Sequence, residues 1–232
     1  MDYEIMMNGN VKIGTFAPEF EGQTTMGRVS LSDYKGKWLV LFSHPGDFTP
    51  VCTTEMIALT RAHTYFKDMN TELLGLSVDS NSSHLAWMYD IYCRTGIKVS
   101  FPIIADRNGQ IARKYGMIAN DISNTQTVRN VFIIDDKGIV RTILIYPMNV
   151  GRFIPEIIRI VQALQMADCS KGSTAANWMP NQPVIVPMPT TYEQLEERIE
   201  GINKNRNGIS WYLGFKEPPE KCINSKEQNC NE

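Results

Sequence analysis

The sequence predicts an α/β fold, followed from about residue 169 by an extended C-terminal arm. Strand-length apolar runs alternate with segments of helical periodicity as far as residue 167, a rhythm typical of a sheet flanked by helices. Residues 177–189 then hold four prolines, which exclude a regular helix there. We therefore expect an α/β domain over residues 1–168 and an arm over 169–232.

The first half of the domain is expected to run strand, turn, helix, strand, helix. Residues 38–43 (WLVLFS) form a buried strand, and Pro45 to Pro50 a turn. A helix over 53–68 takes Pro50 into its first turn, where proline is favoured. A strand over 72–78 and a helix over 82–95 follow, with three candidates for the N-cap of that helix: Asn81, Ser82 and Ser83.

The second half is expected to close the sheet and then lead into the arm. Residues 101–105 indicate a strand and 109–115 a short helix. Residues 128–134 and 138–146 indicate a hairpin, and 151–167 an amphipathic helix. Within the arm, residues 192–202 predict a short charged helix, and the tail from Pro218 is polar.

Composition and charge exclude several classes of partner. The chain has 23 basic and 25 acidic side chains, a formal net charge of -2, so we expect no binding to nucleic acid or anionic membranes. No apolar run approaches the roughly 20 residues that span a bilayer. The first residues, MDYE, lack the basic start of a secretory signal, and we expect a cytoplasmic protein.

Five cysteines include no Cys-x-x-Cys pair, and in a reducing compartment we expect all of them to be thiols. Three histidines and these cysteines show no zinc-ligand spacing, so no metal and no organic cofactor is expected.

Cys52 is the cysteine whose surroundings indicate reactivity. A free cysteine is mostly protonated at neutral pH, and the N-terminus of a helix favours the thiolate. Position alone is weak evidence, because buried cysteines near helix starts are commonly inert. Pro45 and Pro50 make a rigid turn, and Thr49 holds a hydroxyl beside the thiol; this combination favours a nucleophile.

These residues resemble the Pro-x-x-x-Thr-x-x-Cys motif of the peroxiredoxin family. The run HPGDFTPVCTTE is similar to the long "1-Cys" branch of that family, including its archaeal-type members, and the resemblance covers nearly the whole chain. It implies a thioredoxin-like fold with a central mixed sheet flanked by helices. It also implies a thiol-dependent peroxidase that reduces hydrogen peroxide and organic hydroperoxides in antioxidant defence.

The resemblance assigns roles to individual positions. Cys52 would be the peroxidatic nucleophile, Thr49 a hydrogen-bond partner of thiolate and peroxide, and Pro45 a shield from water. Arg129, in the matching run TVRNVFIID, would be the active-site and substrate-binding arginine. His44 is similar to the histidine before the proline in this branch. We expect it to support the site residues without contacting the substrate itself.

The resemblance also implies how oxidised Cys52 is reduced. Cys230 would form a disulfide with Cys52 of a neighbouring subunit, with Cys222 able to exchange into it, and an external thiol such as thioredoxin would reduce it. Cys93 and Cys169 are read as structural thiols. Whether Cys230 or Cys222 resolves Cys52, or neither does, stays open. Members of this type form homodimers, often as decameric rings of five dimers.

Two alternative functions are a disulfide oxidoreductase and a holdase for unfolded proteins. A thioredoxin-fold disulfide oxidoreductase normally carries a paired Cys-x-x-Cys at the helix start, and Thr49 occupies the first of these positions here. A ring-shaped holdase for unfolded proteins is a role that overoxidised peroxiredoxins acquire, and the sequence leaves it open.

Overall fold

The structure is a computed structural model that describes residues 11–119, 121–205 and 207–223. Its backbone contacts group the described chain into two compact units, one ending at Ile154 and the other beginning at Pro155. This division lies fourteen residues before the boundary expected after 168, because the helix that begins at Ile154 groups with the second unit.

A seven-stranded mixed sheet forms the centre of the first unit. Its strands lie in the order β2-β1-β5-β4-β3-β6-β7, with β3, β4 and β5 parallel and the remaining pairs antiparallel. The strands are β1 (Glu21–Thr24), β2 (Gly27–Ser30), β3 (Trp38–Ser43), β4 (Thr71–Ser77), β5 (Ile103–Ala105), β6 (Arg129–Ile134) and β7 (Val140–Tyr146).

The interior strand β3, next to the central strand β4, is buried along its whole length. It pairs with β4 on one side and β6 on the other, so neither its edges nor its faces meet solvent. Both faces therefore need apolar side chains, which explains why WLVLFS is a continuous apolar run rather than an alternating one. The core on one face of this sheet includes Leu39, Leu41, Leu74, Leu76 and Phe132.

The helices of the first unit follow the expected order. They are α1 (Pro50–Asp68), α2 (Asn81–Thr95) and α3 (Gln110–Lys114). Helix α2 begins one residue earlier than the cap candidates suggested. Ser80, rather than Asn81, Ser82 or Ser83, is the N-cap, and its hydroxyl accepts a hydrogen bond from the Ser83 N–H.

The β1–β2 hairpin has no counterpart among the elements expected from the sequence. Its strands, EGQT and GRVS, are short, mostly polar and largely exposed, so they lack the apolar signal by which a strand is recognised. They pair with each other, and β1 also contacts β5.

The second unit contains α4 (Ile154–Ser170), α5 (Tyr192–Asn205), α6 (Glu220–Ile223) and a three-stranded sheet of order β8-β10-β9. The strands are β8 (Val184–Ile185), β9 (Gly208–Ser210) and β10 (Leu213–Lys216). The second unit therefore has a small core, to which α4 contributes Ala163 and Met166 and the segment after it contributes Trp178 and Val184.

A disulfide joins Cys169 to Cys222 inside this second unit, with the Cα atoms 5.8 Å apart. The expectation that Cys169 is a structural thiol is wrong in this structure. The two cysteines are 53 residues apart in the chain, and their proximity depends on the fold of the unit.

Within the described part of the chain, no helix is long and apolar enough to cross a membrane.

Candidate active site

The site is built on the loop between β3 and α1. Thr49 has extended backbone angles and is the N-cap residue of α1, and Pro50 occupies the first helical position. Cys52 is therefore the third residue of the helix, within the turn whose backbone N–H groups lack intrahelical acceptors. Its side chain is fully buried. The expected place of Cys52 in the first turn of a helix is confirmed.

Arg129 contacts the sulfur directly. Its Nη1 donates to Cys52 Sγ at 3.3 Å, although the two residues lie 77 positions apart. The sheet explains the meeting: Val131 of β6 lies opposite Phe42 of β3, so Arg129 reaches the residues that follow the end of β3. The Met148 carbonyl fixes the guanidinium by accepting from Nε and Nη2 at 3.0 and 2.5 Å.

Glu55 and Arg152 belong to the same buried cluster, and the sequence did not single them out. Glu55 Oε2 accepts from Arg129 Nη1 at 2.8 Å and from Arg152 Nη2 at 2.6 Å. Arg152 also donates through Nε to Glu55 Oε1 at 2.9 Å. Glu55 follows Cys52 by three residues, so the two lie on the same face of a helix, and this spacing could have indicated that Glu55 belongs to the site. Arg152 is 97 residues from Glu55, and no local sequence signal connects it to the site.

The cluster pairs one carboxylate with two guanidinium groups. Burial alone would raise the pKa of Glu55, but the two arginines outweigh it, Arg152 most, and the pKa is lowered overall. Glu55 is therefore a carboxylate between two guanidinium groups. It orients Arg129 by holding the same Nη1 that donates to Cys52 Sγ.

Thr49 and Pro45 lie in the loop, as the motif requires. The Thr49 hydroxyl donates to the Gly46 carbonyl at 2.8 Å, so its lone pairs are left to accept a hydrogen bond. Pro45 is buried, and Phe48 adopts a left-handed backbone conformation with φ of 56°. A non-glycine residue in that region indicates a loop shape that its surroundings impose.

His44 lies behind the loop in a buried polar group. Its Nε2 is 3.0 Å from Asp47 Oδ1, and His84 Nδ1 is 2.8 Å from Asp47 Oδ2. Burial lowers the pKa of His44, whereas hydrogen bonds from both histidines outweigh burial and lower the pKa of Asp47.

Among the described residues, His44, Asp47 and His84 are also the one group whose ligand-type atoms would suit a metal, all lying within 4.8 Å of one another. Their separations are those of direct hydrogen bonds, which account for the arrangement.

The two expected resolving cysteines have different outcomes. Cys222 is engaged in the disulfide with Cys169. Cys230 lies outside the described residues. Cys52 and Cys93 are free thiols, of which Cys52 is buried and Cys93 exposed.

Comparison with known proteins identifies the family. The AhpC/TSA family pattern matches residues 13–143, and the pattern for the C-terminal domain of 1-Cys peroxiredoxin matches residues 163–201. Peroxiredoxin 2 of Caldanaerobacter subterraneus subsp. tengcongensis is 54% identical over 205 residues, which cover 88% of this chain and 92% of that protein. The peroxiredoxin of Aquifex aeolicus is 49% identical and covers 87% of this chain and 95% of its own length.

Solved structures confirm the fold class. Peroxiredoxin 6 of Arenicola marina superposes with a TM-score of 0.79 at 32% identity, over 91% of this chain and 100% of that chain. The yeast mitochondrial 1-Cys peroxiredoxin gives a TM-score of 0.77 at 36% identity, over 89% and 99%. The predicted thioredoxin-like fold, with a mixed sheet flanked by helices, is therefore correct. With the buried cysteine and its arginine in place, the chain belongs to the peroxiredoxin family of thiol-dependent peroxidases.

Proposed function

We propose that Cys52 reduces hydrogen peroxide and organic hydroperoxides as a thiolate, and that Arg129 supports the reaction through its direct contact with the sulfur. The observation that carries this is the 3.3 Å hydrogen bond from Arg129 Nη1 to a fully buried Cys52 Sγ. A guanidinium in a water-poor site stabilises negative charge far more than it would in bulk water.

The chemical step is a displacement on oxygen. The Cys52 thiolate attacks one peroxide oxygen, the O–O bond breaks, and the leaving oxygen takes a proton to give water or an alcohol. Cys52 is oxidised to a sulfenic acid and the peroxide is reduced by two electrons. Arg129 stabilises the charge that develops on the leaving oxygen. Thr49, whose own proton is directed to Gly46, accepts the hydrogen bond of the incoming peroxide, and Pro45 limits access of water.

A second thiol completes the cycle. In our proposal the sulfenic acid of Cys52 condenses with the thiol of Cys230 from a neighbouring subunit, releasing water and forming an intersubunit disulfide. An external thiol of the thioredoxin type then reduces it, with Cys222 entering by exchange only after its own disulfide has opened. For the yeast mitochondrial 1-Cys peroxiredoxin, a thiol resolving mechanism via glutathione/thioredoxin systems is described.

The same proposal extends to assembly and location. The arm over residues 169–232 would cover a neighbouring subunit of a homodimer, which assembles further into a ring, and the protein would act in the cytoplasm.

Peroxide consumption by purified variants tests the catalytic roles. We expect Cys52→Ser to abolish turnover with hydrogen peroxide and a thiol donor, because serine does not supply the thiolate. Arg129→Lys should lower the second-order rate constant about 100-fold, as loss of one charge-stabilising donor does in other active sites. Arg141→Lys, an arginine on β7 that pairs with Asp135, is the matched control and should behave as wild type. Full turnover in Cys52→Ser would contradict the assignment.

Non-reducing gels test the resolving step. After one equivalent of peroxide, the wild-type protein should form a disulfide-linked dimer that dithiothreitol reduces to monomer on the gel. Cys230→Ser should form no such dimer. Cys93→Ser, which removes an exposed free thiol, is the control and should keep the dimer. An undiminished dimer band in Cys230→Ser would exclude Cys230 as the resolving residue.

A further inference from the structure

The disulfide between Cys169 and Cys222 is formed by two partly exposed residues. Cys52, by contrast, has no exposed surface. A thiolate opens a disulfide by attacking one of its sulfurs, so access to the sulfurs decides which disulfide a large reductant can open. The second unit therefore offers a thiol carried on another protein a point of attack that the buried Cys52 does not offer.

The segments that carry these two cysteines are also held together by contacts other than the bond. Cys169 lies near the end of α4, and the carbonyl of the next residue, Ser170, accepts from Lys216 Nζ of β10 at 2.8 Å. Strand β10 pairs with β8, and β8 in turn bridges Ser173 just after α4. Cys222 packs against the core of the unit. Two thiols that the fold places in this way react as an intramolecular pair, so the bond can open and close again while the unit stays folded.

The position of Cys222 in the chain connects the pair to the peroxidase cycle. Seven residues separate Cys222 from Cys230, which the proposed function makes the resolving partner of Cys52. A short connection raises the effective concentration of one thiol near the other. In the cytoplasm, where the proposed function places the protein, disulfides are usually transient and serve catalysis or redox sensing. These features favour a bond that opens and closes during turnover.

We propose that Cys169 and Cys222 form a second redox-active centre, at which a dithiol protein of the thioredoxin type delivers the electrons that reduce Cys52. Attack of the protein dithiol on the Cys169–Cys222 bond is a property of the second unit by itself. The transfer of electrons onward to Cys52 rests on the proposed function, in which Cys230 forms the intersubunit disulfide.

The transfer consists of thiol–disulfide exchanges. The Cys222 thiolate attacks the Cys230 sulfur of the intersubunit disulfide, forms a Cys222–Cys230 bond and releases Cys52 as a thiolate. Cys169 then attacks the Cys222 sulfur, which closes the Cys169–Cys222 disulfide and frees the Cys230 thiol. The external dithiol opens this bond through a mixed disulfide and leaves as its own disulfide, while the pair regains two electrons and two protons. The dithiol thus supplies the two electrons that reduce the peroxide.

The starting state of the pair decides which disulfide accumulates after peroxide. Where the Cys169–Cys222 bond is already closed, as in this structure, Cys222 has no thiolate to attack with, and the disulfide between Cys52 and Cys230 remains. In fully reduced protein the exchanges run to their end, and the Cys169–Cys222 disulfide is the product.

Trapping tests the centre directly. A thioredoxin whose second active-site cysteine is replaced by serine stays attached as a mixed disulfide, because it lacks the thiol that completes the exchange. With air-oxidised wild-type protein, we expect one adduct, which peptide mass spectrometry maps to Cys169 or Cys222. Cys52→Ser should give the same adduct, as should Cys93→Ser, which removes an exposed free thiol. Absence of an adduct at both positions of the pair would overturn the proposal.

Oxidation of fully reduced protein tests the transfer. After one equivalent of hydrogen peroxide, the wild type and the Cys93→Ser control should form the Cys169–Cys222 disulfide, read by peptide mass spectrometry under non-reducing conditions. Cys52→Ser and Cys230→Ser should not form it. Equal formation in Cys52→Ser would show that peroxide oxidises the pair directly and would refute the transfer.

Turnover with two donors separates this role from a structural one. In Cys169→Ser the pair cannot close, and we expect turnover with thioredoxin to fall several-fold more than turnover with dithiothreitol, a small dithiol with easier access to other disulfides. A purely stabilising disulfide would lower both rates by the same factor, and that result would contradict the proposal. If the wild type itself consumed no peroxide, the proposed function would fail, while the trapping experiment would still decide whether the pair accepts electrons.

Discussion

At the scale of single residues, the site depends on one guanidinium that has two partners. Arg129 Nη1 donates both to Cys52 Sγ and to Glu55 Oε2, and Arg152 donates to both carboxylate oxygens of Glu55. The cluster is almost completely excluded from solvent, with side chains between 0% and 3% exposed. Removing one partner from such a group leaves a buried charge uncompensated, and this costs far more than breaking an exposed pair.

Glu55→Gln tests the cluster. The amide keeps the shape of the side chain but removes its negative charge, so the two guanidinium groups lose the carboxylate that they share. We expect the free energy of unfolding to fall by about 3 kcal/mol in urea denaturation. Glu72→Gln is the matched control, because Glu72 forms a partly exposed ion pair with Lys37 and should change stability by less than about 1 kcal/mol. Equal losses of unfolding free energy in the two variants would show that the buried cluster stabilises the fold no more than the partly exposed ion pair does.

At the scale of the elements, two helix starts determine the geometry of the site. Helix α1 begins at Pro50 and places Cys52 in its first turn, and helix α2 begins after Ser80 and places His84 in its own second turn. The Ser80 hydroxyl accepts from the Ser83 N–H at 3.1 Å, and the Ser80 carbonyl accepts from the His84 N–H at 3.0 Å. A small cap therefore positions the residue that faces Asp47.

Ser80→Ala tests this cap. Loss of the hydroxyl leaves the Ser83 N–H without its acceptor and should lower the free energy of unfolding by about 1 kcal/mol, read from the urea midpoint. Ser83→Ala is the control, because Ser83 contributes its backbone N–H to the cap and alanine keeps it. A larger loss in Ser83→Ala than in Ser80→Ala would show that the cap is assigned to the wrong residue.

At the scale of the whole molecule, the disulfide between Cys169 and Cys222 is the covalent link inside the second unit. A link between residues 53 positions apart reduces the conformational freedom of the unfolded chain. It also withdraws Cys222 from thiol chemistry while it remains closed, which leaves Cys52 and Cys93 as the free thiols of the described chain.

Cys222→Ser should destabilise the second unit by up to about 4 kcal/mol relative to the oxidised wild type, the loop-closure value for this separation. Thermal unfolding measured with and without dithiothreitol provides the test: the reductant should lower the wild-type melting temperature and leave that of Cys222→Ser unchanged. Cys93→Ser, at an exposed thiol, should keep the wild-type response. A wild-type melting temperature that does not respond to reductant would argue against the link in solution.

The features that the sequence by itself determined are local ones. The buried strand β3, the helix start at Pro50 and the spacing of Pro45, Thr49 and Cys52 all follow from signals within fifteen consecutive residues, and strand and helix formed as expected. Arg129 was predicted from the resemblance of its run, TVRNVFIID, to a family strand, because the position alone indicates an ordinary arginine at the head of a strand. Local signals of this kind act through backbone propensity and apolar periodicity, which need no distant partner.

Only the tertiary structure decided which side chains meet. Glu55 and Arg152 are 97 residues apart, Asp47 and His84 are 37 apart, and Cys169 and Cys222 are 53 apart. Each pair is brought together by the order of strands or by the packing of a unit, and nothing in the chain near either partner specifies the other. The polar, exposed β1–β2 hairpin was missed for a related reason. Its two strands are defined by their hydrogen-bonded pairing, whereas their composition carries no strand signal.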